Sequence, residues 1–432
     1  MLNTDSIDAR NYFTDAFQLY RPHRHPMSRS PRLVRHLSDS VTFTAIGEKN
    51  FRLRVPLLKS PSHLGHHSSR GNRRTNEDRY SAAVMDLDSP VFAFGVYDGH
   101  GGLQCLTFLR DHLAKVIEEA GLLVDDDTAR QELIRNYAKN IGGYWKRWYK
   151  HRNENLKRMQ ESTPQVQKLA NLSCADDLMS RLPLAFLQTD YRFFNEDDNA
   201  LGSTCLAVFL HTLTGGNYFE RNSVSKLTVA HVGDTRAILV DRNGFAHALT
   251  SPHHPLNPME ARRLRKYAAN FFMTDSFGEE RFVSLANTRA FGDLGFKQMG
   301  VTAEPDVSQY IIGDASAIKK LLSPEEVKSC TVGGQGGDES FLVLCTDGVS
   351  NEITDQEIAD IVMANYNLRG LHKATPQFCA EEVVRFVDYV GGDDNSTCMV
   401  IRLGGWGLWP VVDRTGLLRQ ERLNAYTPRD RG

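Results

Sequence analysis

Three aspartates occupy one kind of place in this chain. Asp98 follows the apolar run Val91–Tyr97 and precedes Gly99. The apolar run Phe341–Cys345 likewise ends near an Asp-Gly pair, Asp347-Gly348, and Asp394 stands in the loop just before the apolar run Ser396–Leu403. A strand end beside glycine puts a side chain at the sheet edge and lets backbone carbonyls approach a ligand. Carboxylates gathered at adjacent strand ends repel one another unless a cation lies between them. Hard divalent ions take oxygen ligands, so such a site points to magnesium or manganese and not to zinc. One Asp-Gly pair alone is a turn composition. The signal lies in the company Asp98 keeps: Glu77-Asp78 upstream, His100-Gly101-Gly102 immediately after, and two similar loops far downstream.

The surrounding pattern has to position these groups. Val91–Tyr97 reads as a buried strand that turns at Asp98-Gly99. Leu106, Leu109, Leu113, Val116 and Ile117 recur at helical spacing, with Gly121 as a stop. Residues 59–72, rich in Pro, Ser, Gly and His, read as a loop. Residues 122–200 are charged, carry no strand signal and read as helices. Their cluster Tyr144–Lys150 reads as a helix face that packs its aromatics and leaves its lysines wet, and less as a nucleic-acid patch. From Gly202 onward strands dominate: Ser203–Leu210, Leu227–Val232, Arg236–Val240, Phe341–Cys345 and Ser396–Leu403. Gly233-Asp234-Thr235 predicts a hairpin between the second and third. A basic helix spans Met259–Tyr267. Strands without regular βαβ alternation predict an α+β fold with antiparallel sheets.

Composition narrows the class. The 432 residues are 41% apolar and 24% charged, with a formal net charge of −2. This is ordinary for a globular protein and gives no basic field for nucleic acid. No run approaches the ~20 apolar residues of a membrane span. Seven cysteines without a C-x-x-C pair give no disulfide framework and no zinc signal; Cys205, Cys345 and Cys398 read as small buried hydrophobes. The segment Ala16–Ser38 holds five arginines and no Asp or Glu. It reads as a mitochondrial transit leader or as a disordered basic tail.

The motifs carry a resemblance. In chain order, Arg73-Arg74-Thr75-Asn76-Glu77-Asp78, Asp98-Gly99-His100-Gly101-Gly102, Gly202-Ser203-Thr204, Gly233-Asp234-Thr235-Arg236, Thr288-Arg289-Ala290-Phe291-Gly292-Asp293, Glu304-Pro305, Asp347-Gly348 and Asp394-Asn395-Ser396 follow the pattern of the type 2C metal-dependent protein phosphatases. From about residue 65 to 403 the chain resembles that family, and the rest is similar to its fungal mitochondrial members. The resemblance implies two stacked antiparallel sheets flanked by helices. It implies a leader at 1–40, a catalytic domain at 41–405 with a helical insertion at 122–200, and a tail at 406–432. Asp98 would bridge two magnesium or manganese ions. Glu77 and the Gly99 carbonyl would serve one ion; Asp347 and Asp394 would serve the other. Asp78 is grouped with these ligand candidates, and Asp234 would help hold a weaker third ion. Arg73 would clamp the phosphate and His100 would act as general acid. Asp293 and Arg289 are expected to shape a loop over the site. His253 and His254 read as polar loop residues.

These roles make chemical sense. Two ions about 3.5–4 Å apart can share a water and lower its pKa. A guanidinium can clamp two phosphate oxygens, and a histidine can give a proton to a departing alkoxide. The chain also departs from the family pattern. Asn351 stands where many members carry a carboxylate, Thr288 replaces a serine, and Tyr267–Arg281 lacks a glycine pair expected in the flap. The expected substrate is a phosphoserine or phosphothreonine protein. If the leader directs the chain to mitochondria and not the cytoplasm, the pyruvate dehydrogenase complex becomes a candidate. The competing readings are an inert scaffold of the same fold and a metal-dependent phosphatase or phosphodiesterase for small molecules. The retained Glu77, Asp98, Asp347 and Asp394 speak against the first and leave the second open, since they specify phosphate and water but not the alcohol.

Overall fold

The computed structural model describes residues 40–45, 51–87, 89–142, 178–196, 201–214, 216–265, 272–274, 280–282 and 285–425. The basic leader, the Tyr144–Lys150 cluster and most of 267–281 lie outside these residues. The strands are β1 (Ser40–Ala45), β2 (Phe51–Pro56), β3 (Leu64–Ser69), β4 (Asp78–Asp86), β5 (Pro90–His100), β6 (Gly202–Ser203), β7 (Cys205–Thr212), β8 (Val224–Val232), β9 (Arg236–Val240), β10 (Ala246–Ala248), β11 (Phe272–Thr274), β12 (Glu280–Phe282), β13 (Phe291–Gly292), β14 (Asp306–Gly313), β15 (Phe341–Cys345) and β16 (Ser396–Arg402). One sheet runs β13-β6-β5-β7-β8-β14, with β4 also paired to β5; the other runs β10-β9-β15-β16-β3. Neighbouring strands in both sheets are antiparallel.

The alternation of side chains along each strand builds four layers. In β5, Phe92, Phe94 and Val96 enter the core between the sheets, where they join Leu206, Val208, Leu342, Leu344, Met399 and Ile401. Val91, Ala93 and Tyr97 face the other way, onto helix α1 (Gln104–Glu119). That helix buries Leu106, Leu109, Leu113, Val116 and Ile117, as their spacing predicts. Helices α2 (Asp127–Asn140) and α3 (Leu178–Glu196) complete this layer through Ile134, Tyr137, Leu182 and Phe186. On the far side of the second sheet, Ile238, Val343, Cys345, Cys398 and Val400 pack against α5 (Asp355–Arg369) and α6 (Pro376–Tyr389). Helix α4 (Pro258–Arg265) precedes both in sequence, and its Glu260 accepts from Arg289 Nη2 at 2.7 Å. The expected α+β sandwich is the observed one, and Cys205, Cys345 and Cys398 are buried as read. Trp406 and Trp409 pack edge-on against Phe341 and Tyr366, which ties the C-terminal segment to the second sheet.

Three expectations are corrected. The apolar runs Leu227–Val232 and Arg236–Val240 do not form a hairpin: β8 pairs with β7 and β14, whereas β9 pairs with β10 and β15. Gly233, at φ +105°, carries the chain from one sheet to the other. The stretch 59–72 holds an edge strand, β3, hydrogen-bonded to β16. Its polar residues hid it, and Gly65 is there because a Cβ would stand 2.0 Å from the Pro376 carbonyl oxygen of α6. No turn interrupts β5 at Asp98-Gly99; the strand continues to His100.

Glu339 enters β15 almost fully buried. It accepts a hydrogen bond from the Gly313 backbone N–H at 2.8 Å, and its Oε1 finds no partner. Burial, the largest influence, raises its pKa to about 7. A carboxyl raised in this way contributes stability below its unfolded pKa, near 4.5, and loses it as pH rises through 7. Glu339→Gln should flatten that dependence, with thermal melts in chelator at pH 8 showing a gain on the order of 2 kcal/mol.

Candidate metal centre

Asp98, Asp234 and Asp347 come together where the two sheets meet. Each offers a carboxylate oxygen within 4.8 Å of the other two. They arrive from three elements: β5, the crossover after β8, and the short helix Asp347–Ser350 that follows β15. Local bonds fix each one. The Asp98 carbonyl accepts from the Thr204 N–H at 2.8 Å and from Ser203 Oγ at 3.0 Å. The Gly233 N–H donates to His253 Nδ1 at 3.0 Å, and the His253 N–H donates back to the Gly233 carbonyl at 2.8 Å. A Cβ on Gly348 would lie 2.0 Å from the Asn395 carbonyl oxygen, so the Asp347 and Asp394 loops meet backbone to backbone. A Cβ on Gly99 would collide with Leu106 at 2.0 Å.

The electrostatics are those of a site built for positive charge. Burial first, then the charges of Asp78, Asp347 and Asp234, push the Asp98 carboxyl well above its ordinary range. Burial and Asp234 raise Asp347 to about 7, and burial raises Asp78 to about 6. Asp234 Oδ1 and Asp78 Oδ1 are buried without a hydrogen-bond partner. A buried carboxylate oxygen without a partner is costly, and a hard cation would satisfy the Asp234 oxygen within the cluster. The donor set is all oxygen, which fits magnesium or manganese.

The other sequence candidates surround this cluster. Asp78 is buried and accepts from Thr346 Oγ1 at 2.9 Å; it reaches the site by charge. The Glu77 backbone N–H donates to Asn395 Oδ1 at 2.7 Å, and its carbonyl accepts from the Gly99 N–H, so Glu77 is held between the β5 end and the Asp394 loop. Neither the Glu77 nor the Asp394 side chain belongs to the three-carboxylate group. Asp394 instead accepts from Arg73 Nη2 at 2.7 Å, at the exposed rim. Asn351, the departure from the family pattern, donates to Asp347 Oδ2 at 3.2 Å. His100 Nε2 lies 3.0 and 3.1 Å from the two oxygens of Asp293. Burial alone would lower the His100 pKa, but the hydrogen bond to Asp293 and its charge outweigh it and raise the value.

Sequence reasoning missed three parts of this arrangement. His254 is more than a loop residue, because its Nε2 lies 2.9 Å from Asp234 Oδ2. Asp293 touches His100 as well as shaping its loop. The described part of 122–200 builds core and reaches the site from within through Asp190. Adjacent histidines and a lone Asp in a helix carry no pattern that could have signalled this.

The geometry is that of an all-oxygen acidic centre suited to a divalent cation, and the comparisons supply the class of protein that carries it. The family model described as "Protein phosphatase 2C" matches residues 130–317 and 326–396, more than half of the chain. Over 395 residues the chain is 34% identical to "Protein phosphatase 2C homolog 4" of Schizosaccharomyces pombe, covering 87% of this chain and 89% of that protein. It is 28% identical to "Protein phosphatase 1K, mitochondrial" of Xenopus laevis, covering 80% and 69% respectively. Among solved structures, a phosphatase from a pathogenic strain of Toxoplasma gondii shares the fold at TM-score 0.51 and 17% identity, covering 85% of this chain and 95% of that one. The chain belongs to the protein phosphatase 2C family, whose members are metal-dependent protein phosphatases.

Divalent cation at about 100 times its dissociation constant should stabilise the protein by about 2.7 kcal/mol. Asp347→Asn should abolish most of that shift in a thermal melt. Without metal, the Asp347 contribution to stability is lost as pH rises through about 7. The variant should therefore melt higher than the native chain at pH 8 in chelator, and lower in manganese.

Proposed function

We propose that this protein hydrolyses phosphoserine and phosphothreonine in proteins by in-line attack of water, with two divalent ions held among Asp98, Asp347, Glu77, the Gly99 carbonyl and Asp394. Asp234 would hold a weaker third ion, with Asp78 adding charge behind Asp98. The convergence of Asp98, Asp234 and Asp347 from three separate elements, with a buried oxygen left unpaired, carries this reading. When bound, such ions make hydroxide available near neutral pH and offset charge on the phosphoryl oxygens.

The chain's own residues do the rest. Arg73 stands at the rim, 59% exposed, and its guanidinium can leave Asp394 for a phosphate and grip two oxygens in parallel. Exchanging a carboxylate for a phosphate costs little at so exposed a position. His100 gives a proton to the departing seryl or threonyl oxygen. No covalent phosphoenzyme is required. The thiols Cys105, Cys205, Cys345, Cys379 and Cys398 are buried and raised in pKa by that burial, which leaves them poor nucleophiles.

Phosphate release from a phosphothreonine peptide should require manganese or magnesium, stop with chelator, and fall by at least about 10³-fold in Asp98→Asn. Arg73→Met should mainly raise KM. Turnover of bis-esters with none of phosphopeptides would replace this reading with a small-molecule one. Location and partner are separate proposals. The basic leader, together with the mitochondrial relative, favours mitochondria and a phosphorylated matrix enzyme such as the pyruvate dehydrogenase complex. Residues 1–60 fused to a fluorescent reporter should carry it into mitochondria; a cytosolic reporter overturns that proposal.

A further inference from the structure

Asp293 has an unusual setting. It is a non-glycine residue in the left-handed region, at φ +53°, and its side chain is 4% exposed. Such a backbone persists only when its surroundings over-determine it. Two glycines make room. A Cβ on Gly202 would fall 2.3 Å from His100 Nε2 and 2.4 Å from Asp293 Oδ2, and one on Gly292 would fall 2.0 Å from the Leu201 carbonyl oxygen. The Asp293 N–H is fixed to that same carbonyl at 3.0 Å.

Behind this turn lies a fully buried charged pair. Asp190, from α3, accepts from the Gly292 N–H at 2.8 Å and from the Tyr137 hydroxyl at 2.7 Å. Lys297 Nζ lies 2.8 Å from Asp190 Oδ2 and donates to the Ala290 carbonyl at 2.8 Å. The 290–292 backbone is thus gripped on both sides by one ion pair, at a position where both charges are out of water. Such a pair contributes little net stability; its value is geometric.

We propose that Asp293 is the positioning residue of the His100 general acid, and that the Asp190–Lys297 pair holds Asp293 in place. Both Asp293 oxygens meet Nε2, so the Nε2–H is donated to the carboxylate and only Nδ1 is left to serve the substrate. The His100 side chain is 43% exposed, which leaves room for a substrate to approach it. As the P–O bond breaks, its electron pair goes to the seryl or threonyl oxygen. That oxygen takes the Nδ1 proton, and the imidazole is left neutral with Nε2–H still on Asp293. The inference rests on the reading of His100 as general acid and adds the group that selects its reacting nitrogen.

The test compares a phosphothreonine peptide, whose alkoxide needs a proton, with p-nitrophenyl phosphate, whose phenolate leaves without one. The full-length protein carries His100→Ala, Asp293→Asn, or both. Asn tolerates the left-handed backbone, and unchanged circular dichroism and manganese affinity check the fold and the centre. Asp293→Asn should lower kcat on the peptide by about a hundredfold, lower it less than about tenfold on p-nitrophenyl phosphate, and add no further loss to His100→Ala. Equal losses on both substrates, or a loss that multiplies with that of His100→Ala, would overturn the positioning role and leave the general acid standing. If His100→Ala itself does not discriminate between the substrates, the general-acid reading fails, and the proposal with it.

Discussion

Repulsion among carboxylates is the constraint on which the rest of this structure turns. Asp98, Asp234 and Asp347 would each be easier to accommodate apart, in water. The fold brings them together, half-buries them, and leaves Asp234 with an unpaired oxygen. Everything around the cluster compensates for that choice. Backbone N–H and hydroxyl groups pin the carrier segments, glycines remove side chains where two loops must touch, and the two hydrophobic outer layers supply the stability that the site spends. The three carriers belong to different elements, so tertiary packing and not one loop sets the spacing of the acids.

Much of this was legible in the amino-acid pattern, and the reasons for success and failure are physical. Apolar runs such as Val91–Tyr97 and Phe341–Cys345 announce buried strands because both of their faces are covered. The helical spacing of Leu106 to Ile117 survives because that helix has a wet side. Asp98 and Asp347 were conspicuous through their glycines. By contrast, β3 is a half-polar edge strand, which carries almost no hydrophobic period. The β8–β9 crossover has the composition of a tight turn, and only tertiary pairing reveals that its two arms part company. The Asp190–Lys297 pair was invisible for another reason. Its partners are 107 positions apart, and neither residue type is remarkable by itself.

The division of labour between layers is also uneven. The layer of α1, α2 and α3 does more than cover a sheet, because α3 passes a carboxylate through the core to the loop beneath His100. The layer of α5 and α6 is closed by the C-terminal segment. There Asp360 accepts from the Arg414 and Thr415 N–H groups and from Thr415 Oγ1, all at 2.8–2.9 Å. One side of the sandwich is therefore coupled to the centre through polar contacts, and the other is tied to the end of the chain.

The crossover at Gly233 gives the thickness of the inter-sheet core a meaning beyond stability. Asp98 rides on one sheet, Asp347 follows the other, and Asp234 sits on the strap between them. The separation of the acids is thus set, like the gap of a caliper, by the girth of Phe92, Phe94, Leu206, Leu342 and Leu344. Side chains with no chemistry of their own act as the spacer between the elements that carry the carboxylates.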